Sequence, residues 1–284
     1  MLRRAAFALL LSACTAVLAA PRAYQFAAIG HLQGSETRLR HSLAQAGEAP
    51  NAFIVATGIK GQSEPCADSI YQQRRAMFDE ALRPTIVVPA ASDWSDCRNS
   101  AGRSNAVERL NRLRELFYPD MQSLGSQKLK LGRLSLNSKF RSYAEYAEWE
   151  MGGVLYATLN LPSDNNHFRR EAGRNSEFED RLVANRNWLL RLFRVAKSKK
   201  LEAIVLFAEA DLSDANKQEG FAEVKKQLRS LVKTYPGKLL LVDAAPPADS
   251  AIVWQDKIGH LSLGATAVTV KVTPGTPQLF SLEP

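Results

Sequence analysis

The chain has 284 residues, 45% of them hydrophobic and 23% charged, with a formal net charge of +8. This balance excludes a disordered chain and supplies core for one large globular domain, or at most two. The basic residues are scattered over several predicted helices rather than gathered in one tract. That distribution reads as solvated surface, with no nucleic-acid footprint.

Residues 1–20 read as an export signal. Met1-Leu2-Arg3-Arg4 is a short basic start, and Ala5 to Ala20 is an apolar stretch too short to span a bilayer comfortably. Two processing outcomes stay open. Leu11-Ser12-Ala13-Cys14 has the form of a lipoprotein box, with Cys14 as the lipidated residue, whereas cleavage near Val17-Leu18-Ala19 would release a soluble protein. Either outcome exports the chain, to the periplasm, to the envelope through a lipid anchor, or to the medium. No second segment is long and apolar enough for a transmembrane helix. Export also leaves Cys66 and Cys97 as a pair in an oxidising compartment, which predicts a disulfide.

Residues 24–284 read as one domain. Tyr24 to Gly30 is a buried strand ending on glycine, Ser35 to Ala46 a helix, and Ala52 to Thr57 a second strand. A helix from Ala67 to Leu82, a strand from Pro84 to Pro89 and a helix from Asn105 to Phe117 follow. Tyr118 to Trp149 has weaker periodicity and reads as an excursion of loops and short strands. Glu150 to Leu161 returns to strand in two stretches around Gly152-Gly153. Ser176-x-x-Glu179 has the form of a capping box opening a long helix to about Lys199, with Trp188 on its apolar stripe. Then come a strand at Leu201 to Phe207, a helix at Glu219 to Thr234, a strand at Lys238 to Val242 and a β-rich remainder from Ile252. Lys225-Lys226 is placed on a solvated helix face. The βαβα order followed by strands predicts an α/β fold with two sheets and helices outside.

In α/β sheets the loops at the carboxyl ends of the strands gather into one crevice and carry the site. Here two such loops are Gly58-Ile59-Lys60-Gly61-Gln62-Ser63-Glu64-Pro65-Cys66 and Pro89-Ala90-Ala91-Ser92-Asp93-Trp94-Ser95-Asp96-Cys97. These stretches are similar to the metal-bearing loops of secreted bacterial calcineurin-like metallophosphoesterases, and the resemblance runs from about Tyr24 to Pro284. It implies a four-layer α/β/β/α sandwich and, in that family, a dinuclear metal centre held by Asp, Asn and His. The matching positions here hold other residues. His31 replaces a ligand carboxylate after the first strand, and Gly58 (or Ile59) stands at the bridging Asp. Ala90-Ala91-Ser92-Asp93-Trp94 replaces Gly-Asp-Asn-Glu-Trp, with Ser92 at the coordinating Asn. Glu209-Ala210-Asp211 follows the strand where related chains have His or Gln. Val242-Asp243-Ala244-Ala245-Pro246-Pro247 sits where the family reads His-Gly-Asp-Thr-His.

A two-metal phosphoesterase needs oxygen and imidazole ligands around ions about 3.5–4 Å apart, which polarise the phosphoryl group and supply hydroxide. Without the bridging carboxylate the expectation is a pseudoenzyme with no catalytic residue and no metal. Its vestigial crevice of His31, Gly58, Lys60, Ser92, Asp93, Glu209, Asp211 and Asp243 would bind a phosphorylated ligand or an envelope protein. Lys60 with nearby backbone N–H groups is the expected anion contact. Two alternatives remain: a working phosphoesterase with one Zn or Mn ion on His31, Glu209 and Asp243, and a structural envelope lipoprotein. His260, in Gly259-His260-Leu261-Ser262, is expected on the surface or in a loop, and His41 and His167 are expected to be bland. The sequence has no nucleophile elbow, Walker loop or dinucleotide fingerprint.

Overall fold

The structure, a computed structural model, describes residues 22–30, 35–171, 173, 175–213, 216–249 and 251–283. The export signal with Cys14, and His31, lie outside the described residues. Strand β1 (Tyr24–Gly30) leads through helix α1 (Glu36–Glu48) to β2 (Ile54–Thr57), and α2 (Asp68–Glu80) leads to β3 (Thr85–Val88). After α3 (Ala106–Phe117) come β4 (Gly132–Arg133), β5 (Ala147–Met151) and β6 (Val154–Thr158). Helix α4 (Ser176–Ser198), β7 (Ala203–Phe207), α5 (Ala222–Lys233) and β8 (Lys238–Asp243) follow, and the chain closes with β9 (Val253–Gln255), β10 (Ile258–Ser262), β11 (Val268–Val272) and β12 (Phe280–Glu283).

These strands make two mixed sheets, ordered β12-β11-β1-β2-β3 and β4-β5-β6-β7-β8-β10-β9. β1, β2 and β3 run parallel, as do β6, β7, β8 and β10. Strands buried on both faces must be apolar throughout, which is why IVAT, TIVV and AIVLF lack the alternation of a half-exposed strand. The expected break at Gly152-Gly153 is a tight hairpin between β5 and β6. Both glycines have positive φ, 55° and 78°, which the turn requires and a side chain would resist.

Three sets of buried side chains hold the elements. Phe26, Phe53, Val55 and Val88 of the first sheet meet Trp149, Tyr156, Phe207 and Val242 of the second. Within that contact Phe26 stacks on Phe53 at 5.1 Å between ring centres, and Tyr156 meets Phe53 edge-on at 4.9 Å. A second set joins the other face of β1–β3 to α1, α2 and α3 through Leu39, Tyr71, Phe78 and Leu113. A third joins β6–β8 to α4 and α5 through Leu189, Phe193, Val224 and Leu241. Trp188 is core as expected, fully buried and donating to the Thr158 carbonyl at 3.1 Å.

Two local expectations change. Ser176 does not cap α4. Asn175 is the cap residue and its side chain exchanges hydrogen bonds with the Arg169 backbone instead. Lys225 is buried rather than solvated, because its ammonium donates to the carbonyls of Ser213 and Asn216. Among the described residues no helix is long and apolar enough to cross a membrane.

Cys66 and Cys97 form the disulfide, with Cα atoms 5.9 Å apart and a sequence separation of 31. Replacing both with serine should lower the unfolding free energy by about 3–4 kcal/mol in the chain-entropy account. Urea denaturation of the two proteins side by side measures the difference.

Candidate functional site

The carboxyl ends of β1, β2, β3, β6, β7, β8 and β10 point to one edge of the two sheets, where their loops enclose a cleft of about 550 Å³. Gly30 follows from close approach. A Cβ there would sit 2.9 Å from the Leu263 carbonyl oxygen. The walls are small or apolar at Ala91, Ala244, Pro246, Pro247 and Gly264, with Arg38, Gln62, Ser92, Asp96, Ser163 and Glu209 at the polar points.

Glu209 fixes how the loops meet. It is buried, and its carboxyl accepts from the Ala91 N–H at 2.6 Å, the Ser163 N–H at 2.8 Å and the Ser163 hydroxyl at 2.9 Å. It therefore ties the loop after β3, in one sheet, to the loops after β6 and β7 in the other. Burial pushes its carboxyl up to about 8, against those three hydrogen bonds. Asp93 makes the parallel link within the first sheet. It accepts from the N–H groups of Ile59, Lys60 and Ala90 at 2.7–3.1 Å, joining the loop after β2 to the loop after β3. Burial raises Asp93 to about 6 despite these donors.

The other expected residues fall in three places. Ser92 lines the cleft and is 6% exposed, and among the described residues its Oγ has no hydrogen-bond partner. Gly58 adopts φ 93° and donates to the Val88 carbonyl at 2.9 Å. Lys60 is turned away from the cleft. Its Nζ donates to the carbonyls of Glu64 at 2.7 Å and Gly61 at 3.2 Å, and burial lowers its pKa. The cation at the cleft is Arg38 of α1, which the sequence reading passed over. Among the described residues its exposed guanidinium has no partner. Nothing in its spacing marked it, because only the turn of α1 brings it over the loops.

Asp211 and Asp243 lie together, but apart from Glu209 and on the other face of their sheet. Asp243 follows Leu239 and Leu241 at two-residue spacing and so shares their face, which packs under α4 and α5. There it meets His260, whose Nε2 lies 2.5 Å from Asp243 and 3.4 Å from Asp211. The bonds to Asp211 and Asp243 hold the imidazole up at about 10, against burial. Asp211 falls to about 2: burial opposes the drop, but the bonds from His260 and Ser213 outweigh it. Burial raises Asp243. His260 is thus a paired strand residue, not a surface or loop one. β10 lies beside β8 in the sheet, so register decides the contact. His167 is buried against Trp94 at 5.1 Å between rings, while His41 is exposed.

A wider groove of about 1150 Å³ adjoins the cleft at Asp96 and carries mixed charge, Arg98, Arg103 and Arg169 against Glu108 and Glu177. The cleft, not this groove, collects the strand ends. No protein-family model matches the chain, and no curated protein matches it in sequence.

Above its ordinary value of 4.5 the unfolded chain releases the Glu209 proton, while the folded chain keeps it to about 8. Glu209 therefore costs stability progressively as pH rises through that window, and the loss levels off above it. Glu209→Gln keeps an acceptor for both amides and a donor for Ser163 Oγ. The stability of the wild type relative to Glu209→Gln should fall by on the order of 1–4 kcal/mol between pH 5 and 9. Chemical denaturation at both pH values tests this, and an unchanged difference would contradict it.

Proposed function

We propose that this is an exported protein of the calcineurin-like metallophosphoesterase type that binds a ligand in its cleft and does not hydrolyse it. The reading takes the two sheets and their outer helices as a four-layer α/β/β/α sandwich. The three buried contacts, helix to sheet, sheet to sheet and sheet to helix, support that assignment. The cleft then occupies the edge where a dinuclear centre would be built.

One observation carries the functional reading. Among the described residues, the buried carboxylates that reach these loops are already engaged by backbone N–H groups. Asp93 holds three amides and Glu209 two amides and a hydroxyl, so neither presents a free oxygen pair to bridge two ions. Of the positions around them, Ala91, Ser92, Ala244 and Pro246 are poor or non-ligands for a divalent cation, which leaves the exposed Asp96 as the one further carboxylate among the described lining residues. What remains suits binding: an enclosed volume, an unpartnered Ser92 hydroxyl and a cation at the mouth. We assign a small phosphorylated molecule as the ligand class, with Arg38 meeting the phosphate and Ser92 Oγ supplying a hydrogen bond.

Purified protein supplied with Mn or Zn should show no turnover of p-nitrophenyl phosphate or its bis ester. A small phosphomonoester should still bind by calorimetry, and both Arg38→Ala and Ser92→Trp should weaken it at least about tenfold, as loss of a charge-assisted contact or of the space itself requires. Turnover abolished by Ser92→Trp would sink the proposal, and so would phosphomonoester binding that neither variant changes.

A further inference from the structure

Outside the cleft, the α4/α5 side of the second sheet carries a group of side chains that the proposed binding role does not use. Asp211, Asp243 and His260 each offer one ligand atom, and those atoms all lie within 4.8 Å of one another. They come from three different elements: the segment after β7, the end of β8 and the middle of β10. Asp243 is nine-tenths buried, while Asp211 and His260 keep a fifth to a quarter of their side chains open to solvent. The group is therefore both fixed and reachable.

The far side of the imidazole is held as well. Nδ1 of His260 lies 3.5 Å from the Asp249 carboxylate, and that carboxylate is itself pinned by the Ser262 N–H at 2.7 Å. A carboxylate behind Nδ1 favours the ring orientation in which Nε2 faces Asp211 and Asp243, so that Nε2 presents its lone pair to the same space once it gives up its proton. Charge points the same way. Three carboxylates surround one imidazole, and among the described residues no lysine or arginine is ion-paired with any of the three. Even with the imidazole protonated the group stays net negative.

We propose that Asp211, Asp243 and His260 form a mononuclear site for a divalent cation of the zinc or manganese class, with Asp249 as the residue that positions His260. One nitrogen and two carboxylate oxygens suit a borderline cation, whereas calcium prefers six or more oxygen ligands. The ion enters between Nε2 and the Asp243 carboxylate, which part as it replaces the proton they share, and that proton leaves to solvent. Water fills the remaining positions. The site joins β8, β10 and the segment after β7 on the face away from the cleft, so it acts as a staple. It is independent of the cleft-binding reading.

Protein freed of metal with a chelator is titrated with zinc by calorimetry, alongside Asp211→Asn, Asp243→Asn and the cleft variant Glu209→Gln, each checked for folding by circular dichroism. The wild type and Glu209→Gln should take up one ion per chain and melt at higher temperature with it. Either aspartate variant should lose at least about tenfold in affinity and most of the thermal gain. Asp249→Asn should weaken zinc less than loss of a direct ligand does. Absence of uptake by folded wild type would overturn the proposal. So would uptake that Glu209→Gln abolishes and the two aspartate variants leave unchanged, because that places the ion in the cleft.

Discussion

The buried carboxyl of Glu209 is the contact on which the cleft depends. It stands at the end of β7 in one sheet and accepts from Ala91 in the loop after β3 of the other. Two packed sheets cohere through apolar side chains, but such contacts are non-directional and do not set where the loops at their edges meet. A carboxyl receiving N–H groups from both sides does set it. Asp93 repeats the device one strand away, and the Cys66–Cys97 bridge fastens the same two loops covalently. The energetic character of the two links differs. A buried carboxyl with only neutral donors is costly as an anion, so Glu209 keeps its proton near neutral pH and works as a neutral cross-link.

That arrangement explains the character of the cleft. Loops held by their own side chains have no need of a metal ion to gather them, and the positions facing the cavity are free to be small. Ala91, Ala244 and Gly264 leave volume where larger side chains would fill it. Ser92 is left with a hydroxyl that none of the described residues satisfies, which is costly in a buried position unless a ligand completes it. The Asp211, Asp243 and His260 group lies toward α4 and α5, and none of its three residues lines the cleft.

Much of the fold was legible in the sequence because its strands are short apolar runs bounded by Gly and Pro, and its helices carry clear stripes. Tyr24–Gly30 was read to the residue, and the disulfide was expected from the cysteine count and the signal-like start of the sequence. Side-chain direction was not legible. Lys60 was expected to face the crevice, but its ammonium finds the carbonyls of Gly61 and Glu64 in its own loop. Lys225 sat on a helix face that looked solvated, and the segment before α5 folds over it. His260 was expected on the surface or in a loop, but β10 returns beside β8 and brings it to Asp243. Arg38 gave no signal at all. Lys60 and Lys225 find their partners in loops, where periodicity carries no information, and His260 finds its own through a strand pairing between residues far apart in sequence.

The central claim is that the cleft's carboxylates are structural links rather than metal ligands. Anomalous diffraction from crystals equilibrated with manganese tests it most directly. The account predicts no anomalous peak within bonding distance of Glu209, Asp93 or Ser92, with Glu209 still accepting from Ala91 and Ser163. A peak in the cleft, with Glu209 turned away from those amides to meet it, would contradict the account.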